Sequence, residues 1–190
     1  MMKKALFAVA FSAFAGAALA APVSYSVDPT HTVAQYEVRH LGFSVQSGVF
    51  TKTAGNVVLD TEAKKGAVDI TIDTNSLQTY LAARDTHLKS KDFFNVAQFP
   101  TITFKSTDLK FAGDKLAAVN GNLTILGVTK PVTLTVTNFG GGKNPMSGQE
   151  TYGANAETTI KRSDFGMKTF LPAIADDVTL KVTIEAVKAQ

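Results

Sequence analysis

The 190-residue sequence predicts an all-β domain. Three observations carry that expectation: strict apolar/polar alternation in several segments, no amphipathic helix long enough to cover a sheet, and a single short helical stretch between residues 75 and 100. Val68, Ile70 and Ile72 interleave with Asp69, Thr71 and Asp73, and Val132, Leu134 and Val136 interleave with Thr133, Thr135 and Thr137. Val178, Leu180, Val182 and Ile184 do the same with Thr179, Lys181, Thr183 and Glu185. A period of two puts the apolar side chains on one face of each strand. Without a helical layer to hide that face, the sheet must curl onto itself or stack on a second sheet. A curled sheet has an apolar interior.

Residues 1–20 stand apart from this pattern. Lys3 and Lys4 precede an apolar run from Ala5 to Leu19, and Ala18-Leu19-Ala20 supplies the small residues of a cleavage site before Ala21. This reads as a secretory signal peptide. The run is short for a bilayer span, and no Cys follows it for lipid attachment. Residues 21–190 then make one ordinary domain. The formal charge of +3 includes Lys3 and Lys4, so these residues carry +1. No Lys/Arg cluster is interleaved with aromatics, which argues against nucleic acid as a partner. With no Cys, disulfides, thiolate nucleophiles and Cys-based metal sites are excluded.

The strands follow in order. A short one opens at Tyr25 to Asp28 and turns at Asp28-Pro29-Thr30. Ala34, Tyr36, Val38 and His40 share one face of the next, and Gly42 and Gly48 bracket a bent stretch carrying Phe43, Val45 and Val49. Val57 to Asp60 and Ala67 to Asp73 make a hairpin. From Asn75 to Pro100 the period changes: Leu77, Tyr80, Leu81 and Leu88 are spaced for helical turns, with Asp85 and Ser90 as expected N-caps. This segment is expected across one end of the sheet. Strands resume at Ile102 and Phe104, at Leu116 to Leu126 and at Val132 to Phe139. Gly140-Gly141-Gly142, Pro145 and Gly148 read as a flexible loop before the strand Tyr152 to Ile160. Lys161 to Pro172 is irregular, and a closing strand spans Asp177 to Val187. About eight or nine strands result.

Catalytic signatures are weak. The three histidines, His31, His40 and His87, lack His-x-His or His-Glu-x-x-His spacing. Gly42-Phe43-Ser44-Val45-Gln46 lacks the final Gly of a nucleophile elbow, and the glycine run matches no phosphate loop. No catalytic residue, metal site or cofactor is therefore expected. What stands out is Phe, with 13 residues and no Trp. Phe93, Phe94, Phe99, Phe165 and Phe170 fall in the two irregular segments, where they suggest rims or plugs at a cavity mouth. Arg84 with Asp85, and Arg162 with Asp164, are read either as ion pairs holding irregular backbone or as contacts to a ligand head group.

Asp28-Pro29-Thr30-His31, followed by Tyr36, Val38, His40 and Ser47-Gly48-Val49-Phe50, is similar to the opening of the YceI-like family. Arg84-Asp85-Thr86-His87-Leu88-Lys89-Ser90, Asp92-Phe93-Phe94 and Phe99-Pro100-Thr101-Ile102-Thr103-Phe104-Lys105-Ser106 resemble its central signature. Gly121 to Val132 and Arg162-Ser163-Asp164-Phe165-Gly166-Met167 resemble its later blocks, with Leu126 standing where a basic residue is expected. The resemblance implies an extended, eight-stranded, lipocalin-like antiparallel barrel, usually periplasmic. It also implies a long amphiphile as ligand, a polyisoprenoid, isoprenoid quinone or related lipid, and no enzyme activity.

On this reading Val38, Ala156 and Val182 line the tunnel and Tyr36, Phe43 and Met167 contribute to it. His31, His40, Arg84, His87 and Arg162 are the candidates for a polar head at the mouth. The partners expected are the lipid itself, a membrane met transiently and a second copy in a homodimer. An enzyme acting on lipids or quinones, and a non-binding sandwich with a filled core, are the competing readings.

Overall fold

The computed structural model describes residues 21–189, and the leader expected at 1–20 lies outside them. The described chain forms β1 (Val23–Val27), β2 (Val33–His40), β3 (Ser44–Phe50), β4 (Thr53–Asp60), β5 (Lys65–Asp73) and the two-residue β6 (Leu77–Gln78). Helix α1 (Ala82–Lys89) follows, then β7 (Thr101–Ala112), β8 (Lys115–Ile125), β9 (Val128–Lys143), β10 (Glu150–Lys161) and β11 (Ile174–Lys188).

All eleven strands belong to one antiparallel sheet, in the order β1-β4-β5-β7-β8-β9-β10-β11-β2-β3-β6, and β1 also pairs with β11. That extra pairing closes the ring. β1 and β2 run along the same edge of β11, one at Tyr25↔Lys188 to Val27↔Ala186, the other at Val33↔Thr183 to His40↔Ile174. They are one stave interrupted at residues 28–32. β3 and β4 make a second stave, bent at Thr51 and Lys52, and β5 with β6 a third. The result is an eight-staved, closed, up-and-down barrel, the curled solution to the burial problem posed by the alternating strands.

Closure without a second sheet leaves the interior to side chains alone, and their sizes decide whether it is solid. Four successive staves present Val136, Ala156, Val182 and Ala34 at one level, through the registers Val136↔Ala156, Ala156↔Val182 and Val182↔Ala34. Directly opposed residues share a face, so small side chains meet small side chains across half of the circumference. Several aromatics lie over glycines of the neighbouring strand. Tyr36 lies over its opposite number Gly48, where a Cβ would come within 2.5 Å of the ring. Tyr152 lies over Gly141 in the same way. The glycine run therefore does not form the loop expected of it: Gly140, Gly141 and Gly142 are strand residues of β9 opposite β10.

The two ends differ. At the lower end the hairpins are short, and a chain of rings crosses from β1 to β7. Tyr25 meets Tyr152 edge-on at 5.3 Å, Tyr152 stacks on Phe139 at 5.8 Å, and Phe139 meets Phe111 at 6.4 Å. Tyr25 Oη donates to Glu150 Oε1 at 2.6 Å, which fixes the buried ring. At the upper end residues 74–100 and 162–173 fold across the opening, as expected for the helical stretch. α1 itself buries none of its residues. Leu77 is instead a core residue of β6, while Tyr80 and Leu81 are exposed, so these leucines share no helical face. Asp85 and Ser90 are not N-caps either. Leu81 occupies that position, Ser90 is the C-cap, and Asp85 accepts from the Thr79 N–H at 2.8 Å.

Candidate functional site

The interior is a cavity of about 540 Å³ bounded by all eight staves and by the upper segments. That volume falls in the range of pockets that take small organic ligands. Its middle is aliphatic and aromatic: Val57, Ile70, Ile102, Phe104, Leu123 and Leu180 face it beside the small-residue girdle. Polar side chains at the wall collect at the upper end, where Gln46, Arg84, His87, His40 and Arg162 are found. Lower down, Thr32, Thr53 and Tyr152 are exceptions, and the Thr32 hydroxyl is satisfied by the Glu185 backbone. The Thr53 hydroxyl is buried at the cavity wall and, among the described residues, has no hydrogen-bond partner.

Arg84 is aimed by α1 and held by three hydrogen bonds. Nε donates to Thr79 Oγ1 at 2.8 Å, Nη2 to the Thr79 carbonyl at 2.6 Å and Nη1 to Gln46 Oε1 at 2.9 Å. Two of its five N–H donors remain. Among the described residues Arg84 makes no ion pair with Asp85, nor Arg162 with Asp164. Arg162, 5% exposed, donates to the carbonyls of Ala175, Ile174 and Met167 at 2.9–3.1 Å. Burial pulls its guanidinium below the ordinary value. It acts first as the pin that holds the irregular 162–175 segment. The neighbouring Tyr36 hydroxyl is pushed up to about 12 by burial, so it stays a neutral donor at any physiological pH.

Phenylalanines of the two upper segments meet over the opening. Phe94 packs edge-on against Phe50 at 5.4 Å. The His87 ring stands edge-on to Phe93 at 5.1 Å and to Phe170 at 6.0 Å, and Thr169 Oγ1 donates to the Asp92 carbonyl at 2.7 Å, joining the two segments. Phe165 and Met167 reach the wall from the 162–173 side.

Comparison with known proteins fits this geometry. The sequence matches the family described as YceI-like domain over residues 25–186. The chain belongs to the YceI-like family. Protein YceI of Salmonella agona is 39% identical over 191 residues, covering 98% of this chain and 99% of that protein. The crystal structure of Burkholderia cenocepacia BcnA superposes with a TM-score of 0.73 at 26% identity, over 84% of this chain and 99% of that one. A polyisoprenoid binding domain from Saccharophagus degradans has a TM-score of 0.67 at 17% identity, over 88% of this chain and 99% of that one, which shows a shared fold.

Within this YceI-like barrel most of the expected site residues reach the cavity wall: Tyr36, Val38 and His40 on β2, Arg84 and His87 on α1, Phe93 and Phe94 after it, Ala156 on β10 and Val182 on β11, with Arg162, Phe165 and Met167. Three do not. Phe43 is 87% exposed outside the barrel. The register Val38↔Gln46 and Tyr36↔Gly48 turns the even-numbered residues of β3 inward, so the odd-numbered residues around them face out. Phe99 caps the β8–β9 turn from outside, against Gly127. His31 sits in the break between β1 and β2, where its Nδ1 lies 2.7 Å from Asp28 Oδ2, with the Glu185 carboxylate nearby. Gln46 and Thr53 were missed. Neither carries a signal in the sequence: the apolar Phe43 and Val45 oppose the parity of Gln46, and only the β2 register turns Gln46 inward.

The Asp28–His31 clasp has a testable pH dependence. The hydrogen bond from His31, with those from the Thr30 side chain and backbone, lowers Asp28 to about 2, and the Asp28 partner raises His31 above its ordinary 6.5. A lowered carboxylate stabilises the fold above the ordinary Asp value and loses that contribution as pH falls toward 2. A raised imidazole contributes fully below 6.5 and loses its contribution as pH rises through its folded value. Replacing His31 with Ala therefore lowers the thermal midpoint most near about pH 5, below the ordinary imidazole value, and less as pH rises through the raised folded value. A loss that stays constant from about pH 5 into the alkaline range would show that the pair is not linked to protonation.

Proposed function

We propose that this protein binds a long-chain amphiphile, a polyisoprenoid, isoprenoid quinone or related lipid, in the barrel cavity and carries it through the aqueous periplasm. One observation carries the reading: an apolar lumen with its polar wall groups gathered at one end, the form of a molecule with a long tail and a small head. Each buried methylene contributes about 0.8 kcal/mol, so a tail of a few tens of carbons offsets association costs of roughly 4–15 kcal/mol. Gln46, the spare donors of Arg84, His87 and the neutral Tyr36 hydroxyl are the groups suited to the head. The description of the Saccharophagus degradans domain as polyisoprenoid binding agrees with a ligand of this class.

The test is native mass spectrometry of protein purified from the periplasm of its own cells, followed by organic extraction. The expected result is a bound amphiphile with a long hydrocarbon tail. Protein that carries nothing, and that takes up no geranylgeraniol when offered it, would overturn the proposal.

A further inference from the structure

We propose that the upper end of the barrel docks on a bilayer with anionic head groups, sinking the tips of Leu41, Phe43, Tyr80, Leu81 and Phe170 into the interface. The large apolar side chains left exposed among the described residues are unevenly placed. Leu41, Phe43 and Val45 protrude at the β2–β3 turn, Tyr80 and Leu81 between β6 and α1, and Phe170 from the 162–173 segment. Met146 alone is strongly exposed at the lower end.

These three segments are neighbours. β6 pairs with β3, Arg84 Nη1 reaches Gln46, and the Leu41 N–H donates to the Ala173 carbonyl at 2.9 Å. All three belong to the upper end of the barrel, Tyr80 and Leu81 beside an outer groove with Lys52, Asp73, Asp85 and Lys89 rather than at the cavity wall. Tyr80 is 91% exposed and Phe170 56%, although Phe170 also faces the cavity.

The backbone pays for this display. Leu41, Tyr80 and Phe170 have φ of +52°, +61° and +62°, a left-handed conformation that bulky L-residues avoid. Glycine would relieve it at each position, yet a large apolar side chain stands there.

Charge selects the partner. Residues 39–46, 79–99 and 162–173 hold six Lys/Arg, of which Arg162 is buried, against three Asp, while the rest of residues 21–190 holds eleven against thirteen acids. Arg39, Lys91 and Lys168 are exposed beside the apolar tips. Aromatic and aliphatic tips on separate turns, flanked by cations, fit the interfacial zone of an anionic membrane. The inference rests on the lipid-cargo reading, since a mouth pressed into a bilayer lets a tail pass between membrane and barrel without crossing water.

The experiment is flotation with vesicles of phosphatidylethanolamine and phosphatidylglycerol, against vesicles of phosphatidylcholine alone. Wild type should float with the anionic vesicles and less as salt rises. Phe43→Asp with Tyr80→Asp should lower partitioning by at least about tenfold, since each lost tip forfeits most of a buried aromatic's contribution. Met146→Asp should change it less than about twofold. Neither Phe43 nor Tyr80 lines the cavity, so geranylgeraniol uptake from solution should be unchanged in the double variant. Because the chain has no Cys, a dye on Phe43→Cys should report an apolar environment on docking and one on Met146→Cys should not. Wild type that binds geranylgeraniol but ignores the vesicles would overturn docking and leave the cargo reading standing. Vesicle binding without uptake would do the reverse. Sedimentation velocity completes the set: a wild-type dimer that the double variant converts to monomer, with no vesicle binding, would assign the upper end to a second copy instead.

Discussion

Replacing Ala156 with Trp abolishes uptake of a long-chain ligand while leaving the barrel folded and soluble. The same is expected of Val182→Trp. Ala156 and Val182 stand opposite each other on β10 and β11, in the girdle where Val136 and Ala34 complete the row. An indole entering at that level has open lumen before it, so it fills space rather than displacing packed side chains. A ligand denied the space of about five methylenes loses about 4 kcal/mol, roughly a thousandfold in affinity. Circular dichroism and a binding titration with geranylgeraniol check the two halves of the expectation. Uptake that survives both substitutions would mean that the tail does not pass the girdle.

Arg162→Met is expected to destabilise the protein by about 3–5 kcal/mol, read as a shift in the urea midpoint. The guanidinium serves three main-chain carbonyls at a buried site, and each acceptor left without a donor costs about 1–3 kcal/mol. The methionine stem restores packing but none of those bonds. Arg162→Lys should recover only part of the loss, because an ammonium group cannot span three acceptors set for a planar fork. A loss below about 1 kcal/mol would show that water or a shifted backbone takes over the carbonyls.

The barrel wall was legible in the sequence because period-two alternation is a local signal and most inward positions are apolar. β5, β9 and β11 appear with the inward faces that Ile70, Leu134 and Leu180 announced. β3 shows where that signal fails. Its inward residues Gln46 and Gly48 are polar or small, while Val45 points to solvent, so alternation alone picks the wrong face, and only pairing with β2 decides. The mouth was half legible. Five Phe residues outside any strand pattern located it, and four of them, Phe93, Phe94, Phe165 and Phe170, reach the wall. Arg162 and His31 were open to misreading because a charge's role depends on partners distant in sequence. Arg162 serves carbonyls up to 13 residues away, and His31 sits beside the Glu185 carboxylate of β11. The glycines of β9 looked like slack, but the one at position 141 makes room for the Tyr152 ring.

The ring bridge from Tyr25 through Tyr152 and Phe139 to Phe111 gives the barrel a floor. On the proposed function, a cargo molecule would meet these rings at the far side, so arrival and departure would share the upper doorway. The hydrocarbon tip would then enter first and leave last, with the polar terminus beside the exit throughout transit. Delivery then needs no reorientation inside the vessel, only a second acceptor surface presented to the same opening.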